Sequence, residues 1–178
     1  LIHGNEGADE INGGAGVDEI YGDAGDDDIF GESDPDKIFG GDGNDVIDAG
    51  AGNNYVEGGE GDDEITAYNE NDEIYGQGGD DVIDAGNGNN IVFADYGTLV
   101  RSGNAVASAA TTPGAADGND TFTIGNGNNI VLLGGGNDQL EFGNGNNVIF
   151  GDHGTVTFAS GQAATATATT SGGVDTIT

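Results

Sequence analysis

The stretch Asn12-Gly13-Gly14-Ala15-Gly16-Val17-Asp18-Glu19-Ile20 decides how this chain is read. Its closely spaced glycines let the backbone take positive φ repeatedly, which a tight turn needs. It then runs into Glu19-Ile20-Tyr21, one aliphatic residue between two outward places, the period-two pattern of a short strand. From His3 to Val92, ten such blocks of nine follow one another without insertion or deletion. They end in Ile11, Ile20, Ile29, Ile38, Ile47, Val56, Ile65, Ile74, Ile83 and Val92. Two places earlier stand Asp9, Asp18, Asp27, Asp36, Asp45, Asn54, Asp63, Asp72, Asp81 and Asn90. A disordered acidic linker has no need of an aliphatic residue at every ninth place, so the repeat predicts an ordered stack.

Composition narrows what such a stack can do. The 178 residues include 37 Gly, and 33 Asp plus Glu stand against 2 Lys plus Arg, a formal net charge of -31. Self-repulsion on that scale opposes folding and calls for a neutralising partner. Nucleic acid and anionic membranes are excluded, because both require Lys/Arg patches. Ile91 to Ala94 and Ile130 to Leu133 are among the longest apolar runs, far too short to span a bilayer. With no Cys, any bound metal is held by oxygen, which favours hard cations.

The blocks resemble the GGxGxDxUx nonapeptide of RTX (repeats-in-toxin) proteins, a calcium-binding parallel β-helix repeat. The resemblance covers nearly the whole chain. It implies an all-β, right-handed parallel β-roll with two nonapeptides per coil, the aliphatic residues inside and Ca2+ between stacked turns. It also implies that the Asp residues and turn carbonyls are the ligands. Carboxylates and carbonyls converging on one point do offer the shell of 6–8 oxygens that Ca2+ prefers.

After Val92 the register is lost until Gly118-Asn119-Asp120-Thr121-Phe122, resumes through Val131, Leu140 and Ile149, and is lost again after Phe150. The two breaks match each other: Phe93-Ala94-Asp95-Tyr96-Gly97-Thr98-Leu99 and Phe150-Gly151-Asp152-His153-Gly154-Thr155-Val156 lie 57 residues apart. Each continues as an alternating arm, a Gly-containing turn and a small-residue arm, which predicts β-hairpins inserted at about 98–117 and 155–172. An irregular Ala/Thr loop is the alternative.

If each hairpin sits inside one turn, the parity of the turns survives. Odd turns then align Asp9, Asp27, Asp45, Asp63, Asp81, Asp120, Asp138 and Asp175 along one edge. Even turns align Asp18, Asp36, Asn54, Asp72, Asn90, Asn129 and Asn147, where Asn54, Asn90, Asn129 and Asn147 are neutral and weaker candidates for Ca2+. Seven odd gaps and six even gaps allow up to 13 stacked sites. Strands after even turns also carry an apolar outer column, Tyr21, Phe39, Tyr75, Phe93, Leu132 and Phe150. Such a surface calls for a cover, either the hairpins or another chain.

Catalytic chemistry finds few candidates. His3 reads as an exposed first residue of a repeat and His153 as a turn residue beside Asp152; neither is assigned a catalytic or transition-metal role. No enzyme activity is expected. The chain reads as a single roll over 1–178, a piece of a longer repetitive protein that folds on Ca2+ and associates with itself through the apolar face. RTX resemblance places it outside a bacterial cell or on its surface, exported by type I secretion. A fibre, surface-layer or adhesin segment fits these features, and the repeat domain of a secreted enzyme or toxin is the alternative.

Overall fold

A computed structural model describes residues 1–113, 117–159, 162–168 and 175–177. The first half of the chain forms β1 (Ile2–Glu6), β2 (Glu10–Asn12), β3 (Glu19–Ala24), β4 (Asp28–Phe30), β5 (Lys37–Asp42), β6 (Val46–Gly50), β7 (Tyr55–Glu60), β8 (Glu64–Ala67), β9 (Glu73–Gly78) and β10 (Val82–Gly86). It is followed by β11 (Ile91–Asp95), β12 (Gly97–Ser102), β13 (Ala105–Thr111), β14 (Thr121–Ile124), β15 (Ile130–Leu132), β16 (Gln139–Phe142), β17 (Val148–Phe150), β18 (Gly154–Ala159), β19 (Gln162–Ala168) and β20 (Thr176–Ile177). There is no helix among the described residues.

Successive strands fall alternately into two parallel eight-stranded sheets, β1-β3-β5-β7-β9-β11-β15-β17 and β2-β4-β6-β8-β10-β14-β16-β20. Two nonapeptides therefore make one coil, and Ile20 pairs with Ile38 as Ile29 pairs with Ile47. The chain is an all-β parallel β-roll. Parity survives both insertions: Ile83 pairs with Phe122 and Ile91 with Ile130 across the first, and Leu140 with Ile177 across the second. The ninth-place residues of the two sheets meet in one narrow core, where Ile20, Ile29, Ile38, Val56, Ile65 and Ile74 are each 0% exposed. Burying a side chain of this size stabilises by about 1.5–3 kcal/mol, so the row of them is what holds the sheets face to face.

Both insertions contain β-hairpins. β12 pairs antiparallel with β13, and β18 with β19, but the hairpins also join each other, because β13 pairs antiparallel with β18. The resulting four-stranded sheet folds back over the odd-numbered strands of the roll. Ala109, Leu99, Val106 and Phe158 pack there against Tyr75, Ile91, Phe93, Leu132 and Phe150. Hence β11 is buried along its whole length, whereas β2 is exposed on both sides of Ile11. The tip Ser160-Gly161, residues 169–174 with Gly173, and residues 114–116 lie outside the described residues.

The hairpins cover Tyr75, Phe93 and Leu132, at 8%, 0% and 0% exposure, while Tyr21 and Phe39 stay half-buried beyond the hairpin sheet. One ring of this column escapes a sequence reading. Glu57 breaks the run between Phe39 and Tyr75, and Tyr55 fills the break with centroids 5.8 Å and 5.6 Å from its two neighbours. His3 stacks on Tyr21 at 4.7 Å and extends the ladder by one more ring.

Candidate metal centre

Each Asp that precedes a strand is positioned by the turn stacked against it. On the odd edge the backbone N–H of Asp9 donates to Oδ1 of Asp27, and Asp27 donates in turn to Asp45, at 2.8 Å each. The relay passes from Asp45 to Asp63 and Asp81, then across the first hairpin to Asp120 and Asp138, and reaches Asp175 at 3.3 Å. On the even edge Asp18 donates to Asp36, followed by Asn54, Asp72, Asn90, Asn129 and Asn147. All the sequence-predicted ligand positions thus fall into two columns, and every Oδ1 in them beyond Asp9 and Asp18 accepts a backbone N–H.

The second oxygen behaves differently. Oδ2 of Asp9, Asp27, Asp36, Asp45, Asp63, Asp72, Asp81, Asp120 and Asp138 is buried with no hydrogen-bond partner. A buried carboxylate oxygen without a donor carries a large desolvation cost, which a bound cation removes. Space for one is present. A Cβ added at Gly22 would lie 2.5 Å from both Asp27 Oδ2 and the Gly40 carbonyl oxygen, and one at Gly31 would lie 2.9 Å from Asp36 Oδ2 and 2.5 Å from the Ala49 carbonyl oxygen. In both turns the missing side chain leaves a cradle where a carboxylate and a carbonyl of the next coil converge. This oxygen-only donor set fits Ca2+.

Electrostatics along the odd edge express the same need. Burial pushes the carboxyls up, opposed by the donated N–H and reinforced by neighbouring carboxylates: Asp45 to about 6, Asp63 and Asp138 to about 7, Asp120 to about 8 and Asp81 to about 9. On the even edge burial raises Asp36, and Asp72 to about 6.

The four asparagines use the corresponding atom to donate. Nδ2 of Asn90 donates to the Ala85 carbonyl at 2.9 Å, Asn54 donates to Gly50, Asn129 to Gly125 and Asn147 to Gly143. Here the amide bonds carbonyls of its own turn, so the turn closes on itself. The residue five places upstream carries a matching signal that a ligand-only reading overlooks. It is Gly4, Gly22 or Gly40 before Asp9, Asp27 and Asp45, but Ala49, Ala85, Ile124 or Phe142 before the asparagines; Ala67 before Asp72 and Leu133 before Asp138 depart from the rule.

Two even turns, Glu32-Ser33-Asp34-Pro35-Asp36 and Tyr68-Asn69-Glu70-Asn71-Asp72, lack the glycines of the other blocks and hold their shape at some cost. Glu32 and Asp34 take φ of 75° and 78°, and Glu70 takes 82°. A left-handed non-glycine residue is strained by about 1–2 kcal/mol.

Among the described residues, one further cluster lies outside both columns. Asp95, Asp117 and His153 bring one ligand atom each to within 4.8 Å of one another. His153 is 4% exposed, so it is a buried group at the root of the second hairpin and more than the simple turn residue the sequence suggests. No nonapeptide period links these three positions, and the 57-residue repeat aligns Asp95 with Asp152 and Tyr96 with His153, so it does not join them either.

A profile of the RTX calcium-binding nonapeptide repeat (4 copies) matches residues 3–38, 21–56, 30–65, 57–92 and 115–149. The chain belongs to this family. The matches follow the two columns of turns through both sheets and resume in phase after the first hairpin, so the RTX repeat accounts for the roll, and calcium is its ion. No curated protein matches the chain. In an RTX roll with these donors, Asp9, Asp27, Asp36, Asp45, Asp63, Asp72, Asp81, Asp120 and Asp138 would hold Ca2+ through Oδ2 and turn carbonyls. Bound Ca2+ supplies the positive charge that the chain's own residues lack.

Proposed function

We propose that the chain is an extracellular, calcium-stabilised structural segment of a bacterial surface protein, a fibre, surface layer or adhesin, with no catalytic role. The observation that carries this reading is the union of the hairpins. Because β13 pairs with β18, the two hairpins form one antiparallel sheet along the roll, and further units of the same 57-residue period would extend that sheet hairpin by hairpin. That is how a protein builds length. The ladder of exposed His3 and half-buried Tyr21 and Phe39, beyond the hairpin sheet, is a surface for self-association.

The chain's residues gate folding by charge. At low Ca2+ the stacked carboxylates repel, and the chain stays extended through a secretion channel of the type I class. Outside the cell, where calcium modules have affinities of about 10^-4–10^-3 M, ligand binding adds directly to folding stability. The same repeats also serve a secreted enzyme or toxin as a calcium-binding domain, and that alternative predicts a folded monomer.

Circular dichroism with sedimentation velocity, from chelated to millimolar Ca2+, separates these readings. The expected result is a cooperative coil-to-β transition with concentration-dependent growth at the same step. A monomer throughout would favour the enzyme or toxin domain. A chain β-rich in chelator at neutral pH, or unfolded at every Ca2+ level, would remove calcium-gated folding.

A further inference from the structure

We propose that Asp95, Asp117 and His153 form a separate site for an imidazole-accepting divalent cation of the Zn2+ class, fastening the roots of both hairpins to the roll. Asp95 closes β11 just before the first hairpin, Asp117 precedes the turn to which that hairpin returns, and His153 opens the second hairpin after β17. Asp95 is 0% exposed and already aimed: Oδ2 accepts the N–H of Gly135 at 2.6 Å and Oδ1 that of Gly118 at 3.2 Å. His153 Nε2 lies 2.8 Å from Asp117 Oδ2.

Room for an ion comes from two successive glycines. A Cβ on Gly135 would stand 2.7 Å from Asp117 Oδ2 and 2.9 Å from His153 Nε2, and one on Gly134 would collide with Asp95 Oδ2. The cradle is therefore open on the side where all three ligand atoms meet. Two carboxylates beside one imidazole draw positive charge to this point; His153, 2.8 Å from Asp117 Oδ2, supplies it only when protonated, and the chain's one Arg pairs with Glu73. One imidazole with two carboxylates, and a fourth position left for water, is a Zn2+-type donor set; Ca2+ takes oxygen ligands and gains nothing from the imidazole.

The test titrates Zn2+ into the folded chain, stripped of transition metals and held in excess Ca2+, by calorimetry. One saturable equivalent is expected, retained in His3→Ala and lost in His153→Ala and Asp117→Asn. Co2+ in place of Zn2+ reports on the intact protein, so a variant that fails to fold does not decide the matter: tetrahedral absorption bands and a single imidazole nitrogen by X-ray absorption are expected. No Zn2+ uptake, uptake abolished by excess Ca2+, or uptake unchanged in a folded His153→Ala would each overturn the proposal.

Discussion

The two edges of the roll stack the same turn in the same register, yet they balance their buried polar atoms by opposite means. Odd turns from Asp9 to Asp138 place a carboxylate oxygen in a cradle where no described residue donates to it. Four of the even turns place an amide nitrogen in the corresponding position, and it donates to carbonyls of its own turn. An Asn turn is complete on folding, while an Asp turn is complete only when a cation arrives. The edges therefore differ in what they make folding depend on, and the hairpins are inserted in the dependent one.

The largest expected effect is that of pH on the calcium-free chain, because many carboxyls act together. Their pKa values in the calcium-free roll lie above the ordinary 3.8, so the folded state binds protons more tightly than the unfolded chain. That contribution is fully present below about pH 4. It is lost as pH rises through about 6 at Asp45, about 7 at Asp63 and Asp138, about 8 at Asp120 and about 9 at Asp81. Each tenfold in proton affinity is worth about 1.4 kcal/mol, so the odd edge dominates. In chelator, β-sheet ellipticity should grow as pH falls from 9 to 4. With Ca2+ present the sign reverses, because protons compete for the ligands. A chelated chain that loses β-structure on acidification would contradict this account of the odd edge.

A matched pair of truncations sharpens the contrast. Asp63→Ala and Asn90→Ala each remove an Oδ1 that accepts a backbone N–H, from Asp45 and from Asp72. Beyond that shared loss, Asp63→Ala forfeits a cation ligand. Its cost in chemical denaturation should rise with Ca2+, by about 2.7 kcal/mol at a hundredfold excess over the dissociation constant. Asn90→Ala forfeits donors to Ala85 and Gly86, and its extra cost of about 1–3 kcal/mol should be the same at every Ca2+ level that folds the chain. Equal calcium dependence of the two variants would erase the distinction between the edges.

Much of this architecture is written in the nonapeptide itself. An inward place every ninth residue has to be aliphatic, from Ile11 to Val92, so period, parity and strand positions are all open to reading before any coordinates. What depends on distant parts of the chain meeting is not. Tyr55 belongs to the aromatic ladder only because the rings of Phe39 and Tyr75, on the strands either side of β7, both reach it where Glu57 interrupts the column. The pairing of β13 with β18 follows from two hairpins leaving the same edge a few coils apart. Asp95, Asp117 and His153 share no spacing rule, since the hairpins set their separation. The donor role of the asparagine amides was half legible: the identity of Asn54 and Asn90 is plain, but its meaning needs the carbonyls of Gly50 and Ala85 in place.

The smallest predicted effect tests whether the cradle, beyond the carboxylate, defines an odd turn. Gly22 lies outside the left-handed region, so Gly22→Ala introduces no backbone strain and only adds a methyl group. That methyl would stand 2.5 Å from Asp27 Oδ2 and from the Gly40 carbonyl, in the space a cation would share. On the even edge, Ala49 already fills this position five residues before Asn54. The substitution should therefore make one odd turn resemble an even one sterically, while leaving it a carboxylate with no donor. The expected outcome is a stability loss of about 1 kcal/mol, the low end for one methyl pressed into a packed site, together with about one fewer Ca2+ bound per chain in calorimetry. If stoichiometry is unchanged, the glycine serves the turn alone, and the choice between Asp and Asn is all that separates the edges.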